Sequence, residues 1–193
     1  MSQGTSSERA TKSIRHEYKS LPRLHPSAYR GLAQVHWIFT IKNRETGYLT
    51  PDFFHQFKLT AMHTFARYDL VSPCICLMPD HVHLLLLGTN ESGSDQRTAV
   101  EFLRKHLRPF VHPFEFQHQA YDHVLRDSER VRDVFQATAN YVLENPVRSK
   151  LCKSPRDWPY ATAVIPGYPD LNLWDENYWD LFWRLYHRLL VTQ

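Results

Sequence analysis

Cysteine is scarce here: Cys74, Cys76 and Cys152 are the only three in 193 residues. Three thiols cannot all pair with one another, which excludes a disulfide framework and points to a reducing compartment. No stretch approaches the roughly 20 consecutive apolar residues of a membrane helix, and the opening Met1-Ser2-Gln3-Gly4-Thr5-Ser6-Ser7-Glu8 lacks the apolar segment of a signal peptide. A soluble, cytoplasmic protein without a membrane partner is expected. There is no internal repeat, and no low-complexity tract beyond the polar residues 1–30. Neither charge sign dominates: Lys and Arg number 23 against 20 Asp and Glu, and the net +3 permits a nucleic-acid partner without demanding one.

What is present is the material of one folded domain with tails. A hydrophobic fraction of 42% and an aromatic fraction of 13% supply a core, and 193 residues are enough to bury it without disulfide or metal staples. Residues 1–30 carry Arg9, Lys12, Arg15, Lys19, Arg23 and Arg30 against Glu8 and Glu17. They read as a flexible basic arm ahead of a domain over residues 31–165. Residues 166–193 are an extension ending in an aromatic helix, whose Tyr178, Trp179, Phe182, Trp183 and Tyr186 pack against the domain or a partner subunit. A monomer or a homodimer is expected.

Within the domain, residues 34–41 have the β-branched and aromatic content of a strand. Thr50 caps a helix with Pro51 at its first position, running to about Tyr68 with Phe54, Phe57, Leu59, Met62 and Phe65 for its buried side. A short strand over 71–77, the turn Met78-Pro79-Asp80 and a strand over 81–88 follow. A second helix over 96–108 buries Val100, Leu103 and Leu107 and leaves Arg97, Arg104, Lys105 and Arg108 for solvent or a polyanion. Residues 121–126 read as a fourth strand, and Asp127 or Ser128 caps a third helix that Pro146 ends. The order β-α-β-β-α-β plus a helix predicts an α+β, ferredoxin-like fold with a central antiparallel sheet. In that topology the first and third strands are neighbours, and His36 comes beside His81 or His83, either backing them or facing a substrate.

Twelve histidines are many for this length. Two of them form His81-Val82-His83, and residues two apart on a strand share a face, so both imidazoles can converge on one cation or one phosphate. On the third helix Tyr141 and Asn145 are four apart and lie one above the other. Packed on the sheet, that helix can present both to the histidine pair, giving a nucleophile, Tyr141, and three metal ligands, His81, His83 and the amide oxygen of Asn145. Two imidazoles and an amide oxygen with open positions suit Mg²⁺ or Mn²⁺. Such an ion withdraws charge from a phosphate oxygen, and a phenolate attacking phosphorus conserves the bond energy in a phosphotyrosine for later religation. A competing arrangement shares the stretch: Cys74, Cys76, His81 and His83 have the spacing Cys-x-Cys-x₄-His-x-His, open to a four-ligand zinc site.

Met78-Pro79-Asp80-His81-Val82-His83, Tyr121-Asp122-His123-Val124-Leu125-Arg126-Asp127, Tyr141 with Asn145-Pro146-Val147-Arg148, and Asp157-Trp158-Pro159-Tyr160 occur in that order. In these runs, over about residues 30–165, the sequence resembles the REP-associated tyrosine transposases, a branch of the single-tyrosine HUH transposases. The resemblance implies a ferredoxin-like HUH nuclease domain that nicks and rejoins single-stranded DNA at hairpin-forming repeats, through a 5′-phosphotyrosine and a free 3′-hydroxyl. It makes His81 and His83 the metal pair, Tyr141 the nucleophile and Asn145 the third ligand. Asp80 stands where many relatives have Asn. With DNA as substrate, Arg104, Lys105 and Arg108 become phosphate contacts, and Arg126 and Arg148 lie nearer the scissile region. The alternative is a domesticated relative, a ferredoxin-like module that binds hairpins without cutting them.

Overall fold

Leu84 to Leu87 run down the middle of a five-stranded antiparallel sheet, and their alternation explains the layers around it. The computed structural model describes residues 23–191. Its strands are β1 (Gln34–Thr40), β2 (Leu70–Met78), β3 (His81–Gly88), β4 (Tyr121–Val124) and β5 (Ala161–Val164), in the order β4-β1-β3-β2-β5. The helices are α1 (Pro51–Arg67), α2 (Gln96–Val111), α3 (Arg132–Leu143), the single turn α4 (Asn145–Arg148) and α5 (Tyr178–Val191). Leu84 and Leu86 enter one core with Trp37 and Phe39 of β1, Phe57 and Phe65 of α1, and Leu103 and Leu107 of α2. Leu85 and Leu87 enter a second core with Cys74 and Cys76 of β2, Phe135 and Val142 of α3, and Tyr178 and Phe182 of α5. A strand covered on both faces reads as an unbroken apolar run.

The ferredoxin-like order is as the sequence predicts, and β1 lies beside β3 with His36 opposite Leu85 and Ile38 opposite His83. Thr50 caps α1, its hydroxyl accepting from the Phe53 amide at 3.1 Å, with Pro51 at the first position. The buried side of α1 is Phe53, Phe57, Ala61, Thr64 and Phe65, and Leu59 is exposed. Leu59 follows Phe57 by two positions, about 200° around the helix, and so takes the solvent side. Asp95 caps α2, which continues past the expected end at Arg108 to Val111, because Pro109 in the last turn removes one amide donor without stopping it.

Two further expectations need correction, and one strand is additional. Neither Asp127 nor Ser128 caps α3: residues Asp127–Glu129 form a separate 3₁₀ turn, and α3 starts after Val131 with no side-chain cap. Pro146 does not end the helical path but sits in the added turn α4. The stretch after Trp158 contains β5, hidden in the sequence by its surrounding prolines, which pairs with β2 through Ser72–Val164 and Ile75–Thr162.

The proposed arm over residues 1–30 lies outside the described residues up to residue 22. From Arg23 onward it contacts the domain. Arg23 pairs with Asp122 at 3.2 Å, and fully buried Tyr29 donates to the same carboxylate at 2.5 Å. The aromatic extension is integral to the second core: the Tyr178 hydroxyl donates to the Pro73 carbonyl and that of Tyr186 to the Gly88 carbonyl at 2.9 Å. The Pro73 contact falls where the β2–β3 register shifts between Val71 and Cys74.

Candidate functional site

The turn that presents the histidines is fixed from behind. β2 and β3 join at Pro79-Asp80, and the buried Tyr48 hydroxyl bridges the carbonyls of Met78 at 2.6 Å and His81 at 3.1 Å. The Ile41 amide donates to the Asp80 carbonyl at 2.8 Å. From this turn a chain of side-chain contacts crosses the sheet. Arg44 meets one oxygen of Asp80 at 2.9 Å, and the other meets His81 Nδ1 at 2.6 Å. His81 Nε2 faces His83 Nε2 at 3.0 Å, and His83 Nδ1 faces His36 Nε2 at 3.0 Å. His36 lies opposite His123 on β4, whose Nε2 contacts Glu129 at 2.9 Å.

Burial, followed by the neighbouring imidazoles, pushes the pKa of His36 down to about 4 and that of His83 down to about 3. Both rings are therefore neutral near pH 7, the form that ligates metals. For Asp80, partial burial works against ionisation, but hydrogen bonds from His81 and Arg44 outweigh it and lower its pKa.

The histidine pair fits a divalent ion. Asp80 fixes His81 as the tautomer with hydrogen on Nδ1, leaving the Nε2 lone pair toward His83. Two donors about 2.1 Å from one ion and about 90° apart are about 3.0 Å from each other, which is the Nε2–Nε2 separation of His81 and His83. With His81 in that tautomer, the His81–His83 hydrogen bond requires His83 to donate through Nε2, which leaves its Nδ1 to accept from His36. To ligate through Nε2 it must carry hydrogen on Nδ1 and donate to His36 instead. His36 is thus the residue that absorbs the tautomer change.

α3 packs on the sheet face that carries His36, His81 and His83, burying Phe135, Ala139 and Val142. Tyr141, on the same helix, is half exposed, with the Arg148 guanidinium 4.4 Å from its ring centre. Its phenol makes no hydrogen bond to the histidines among the described residues. Asn145 sits one turn on, its Nδ2 donating to the Tyr141 carbonyl at 2.9 Å and the Val142 carbonyl at 3.1 Å. Pro146 has no amide hydrogen to offer Val142, so the Asn145 side chain replaces that donor. The amide is locked by its nitrogen, and Oδ1 keeps its lone pairs.

The basic residues divide. Lys105, Arg108, Arg126 and Arg148 are exposed. Arg104 is instead built into the fold: its guanidinium lies 5.8 Å from the rings of both Phe39 and Phe116 and donates to the carbonyls of Gln117 and His118. Burial first, then the charges of Arg108 and Arg23, lower its pKa to about 10, so it remains charged near neutrality. The four-ligand zinc arrangement does not form: among the described residues no three His, Cys, Asp or Glu side chains are grouped to hold an ion. The Cys74 and Cys76 thiols are buried, which raises their pKa values and keeps them protonated. Sequence reasoning missed Arg44, Tyr48 and His123, which reach the site through strand pairing and a turn rather than a spacing rule. Asn43 and Arg44 both take left-handed backbone conformations, with φ of 57° and 58°.

A ferredoxin-like α+β domain with a His-x-His centre strand, on whose face packs α3 bearing Tyr141, followed by the turn α4 bearing Asn145, is the class defined here. No family-wide sequence profile matches the chain. It is 27% identical over 164 residues, 71% of this chain and 90% of the relative, to a Haemophilus influenzae protein provisionally named a REP-associated tyrosine transposase. Its fold matches the solved structure of a REP-associated tyrosine transposase bound to a REP hairpin, with a TM-score of 0.62 at 17% identity over 74% of this chain and 82% of that one. The chain therefore resembles the REP-associated tyrosine transposases in sequence and in fold. No described helix is long and apolar enough to cross a membrane.

Proposed function

We propose that this protein is a metal-dependent endonuclease and strand transferase acting on single-stranded DNA at hairpin-forming repeats, as a REP-associated tyrosine transposase. The observation that carries the reading is the His81–His83 pair, with its two Nε2 atoms 3.0 Å apart and each Nδ1 partnered. His81, His83 and Asn145 Oδ1 would hold Mg²⁺ or Mn²⁺. The chemistry a bound ion supplies is withdrawal of charge from a non-bridging phosphate oxygen.

In this reading the Tyr141 phenolate oxygen attacks phosphorus, an O–P bond to the tyrosine forms, and the bond from phosphorus to the 3′ oxygen breaks. The departing oxygen takes a proton and becomes a free 3′-hydroxyl, while the 5′ phosphate stays on Tyr141. Rejoining reverses the step, a 3′-hydroxyl attacking the phosphotyrosine and releasing the phenolate. Arg148, its guanidinium 4.4 Å from the centre of the Tyr141 ring, can contact the phosphate. Lys105, Arg108 and Arg126 offer exposed backbone-phosphate contacts.

A hairpin binder that does not cut is the second reading, favoured by one observation: Tyr141 contacts Arg148 rather than the histidines. Incubating labelled single-stranded hairpin DNA with the protein and Mg²⁺ or Mn²⁺ separates the two. A protease-sensitive covalent adduct that is absent from Tyr141→Phe and from the His81→Ala, His83→Ala double variant is expected. Tight hairpin binding with no adduct would leave the binder reading standing.

A further inference from the structure

We propose that a cavity beside Trp174 is a subsite for one unpaired nucleobase of the substrate strand, with the cations of residues 148–156 holding the adjoining phosphates. This rests on the reading of the protein as a binder of single-stranded hairpin DNA. The cavity measures about 340 Å³, and its lining includes Asn140 and Glu144 of the α3 segment, Arg156, the Trp174 indole, and apolar Leu143 and Pro155. That volume falls in the range of small-molecule sites, about 300–1,000 Å³.

Its lining has the chemistry of base recognition. The Trp174 ring is half-buried against the second core, and its backbone amide is held by Asn172 Oδ1 at 3.1 Å, so a flat apolar face is fixed in place. The side chains of Asn140, Glu144 and Arg156 make no hydrogen bond or ion pair among the described residues. A carboxylate, an amide and a guanidinium left free around an indole match a base, which stacks by its face and is read along its edge. Glu144 accepts from exocyclic amino groups, which adenine, guanine and cytosine carry and thymine lacks.

The surroundings point to the rest of the nucleotide chain. Arg148, Lys150, Lys153 and Arg156 are all exposed and form no ion pair among the described residues. Arg148 lies over the Tyr141 ring and Arg156 lines the cavity, so in chain order these cations begin at the proposed nucleophile and end at the proposed base site. Asn140 directly precedes Tyr141 in α3, which places the two sites on adjoining faces of one helix.

The test places an abasic residue at each unpaired position flanking a DNA hairpin in turn and measures affinity by fluorescence anisotropy for wild type, Trp174→Ala, Trp174→Phe and Glu144→Gln. One position should weaken wild-type binding about tenfold to hundredfold when its base is removed. The same base loss should cost Trp174→Ala nothing further, and Trp174→Phe should keep part of the effect. Glu144→Gln, at an exposed position where folding is preserved, should reduce the penalty for thymine at that position. Lys150→Ala and Lys153→Ala should each flatten the dependence of log affinity on log salt by about 0.7, whichever base is present. Tight hairpin binding in which every abasic loss simply adds to that of Trp174→Ala and Trp174→Phe overturns the subsite alone. Failure of wild type to bind any hairpin DNA overturns the subsite and the DNA reading together.

Discussion

His36 Nε2 lies 3.0 Å from His83 Nδ1, so a residue of β1 partners the second nitrogen of the β3 histidine whichever tautomer that ring adopts. A ligating histidine is held in one tautomer by the group that its second nitrogen meets, and losing that partner costs about 10–100-fold in metal affinity. His36→Ala should weaken Mn²⁺ binding by that factor, measured by calorimetric titration, with hairpin affinity little changed. His36→Gln, which keeps an acceptor oxygen, should restore part of it. Equal Mn²⁺ affinity in wild type and His36→Ala would remove His36 from the site.

The same pair makes stability depend on pH. Histidine in the unfolded chain takes up a proton near pH 6.5, whereas His36 and His83 stay neutral down to about 4 and about 3. Between these values the unfolded chain binds more protons than the native one, so stability rises with pH and falls as acid is added from about 6.5 downward. The melting temperature of the metal-free protein should drop between pH 7 and pH 5, and less steeply in His36→Gln. An unchanged melting temperature across that interval would contradict buried neutral rings.

The part of the site written as local spacing was legible in the sequence. His81 and His83 share a face because a strand repeats every two residues, and Tyr141 and Asn145 stack because four residues make about one helical turn. The adjacency of β1 and β3 followed from element order alone. Arg44, Tyr48 and His123 were not legible, because each reaches the histidine strand through a tertiary contact across 33 to 36 residues of chain or through strand pairing that spacing does not encode. β5 was hidden for a related reason. Its four residues are stabilised by pairing to β2 and by the Trp158 indole donating to the Leu77 carbonyl at 2.9 Å, not by their own pattern.

Arg104 and its neighbours on α2 should separate under mutation although all are cations on one helix. Arg104→Ala removes a guanidinium from between two aromatic rings and leaves two carbonyls without their donor, so it should lower stability by about 1–3 kcal/mol. Lys105→Ala and Arg108→Ala should leave the melting temperature nearly unchanged and instead reduce the salt dependence of single-strand binding. Paired melts and salt titrations check both halves. An Arg104→Ala protein that melts like wild type would return that residue to the DNA-contacting set.

Asn145 carries two roles that one substitution cannot separate, but two can. Its Nδ2 supplies the donor that Pro146 lacks, bonding the Tyr141 and Val142 carbonyls, while its Oδ1 is the proposed third ligand. Asn145→Ala should therefore cost about 1 kcal/mol of stability from the lost hydrogen bonds and also weaken Mn²⁺ binding. Adding Pro146→Ala restores a backbone amide at that position, so the Asn145→Ala, Pro146→Ala double variant should regain stability while metal affinity and covalent adduct stay low. If the double variant recovers stability, metal affinity and adduct together, then Asn145 serves only to hold the helix that carries Tyr141.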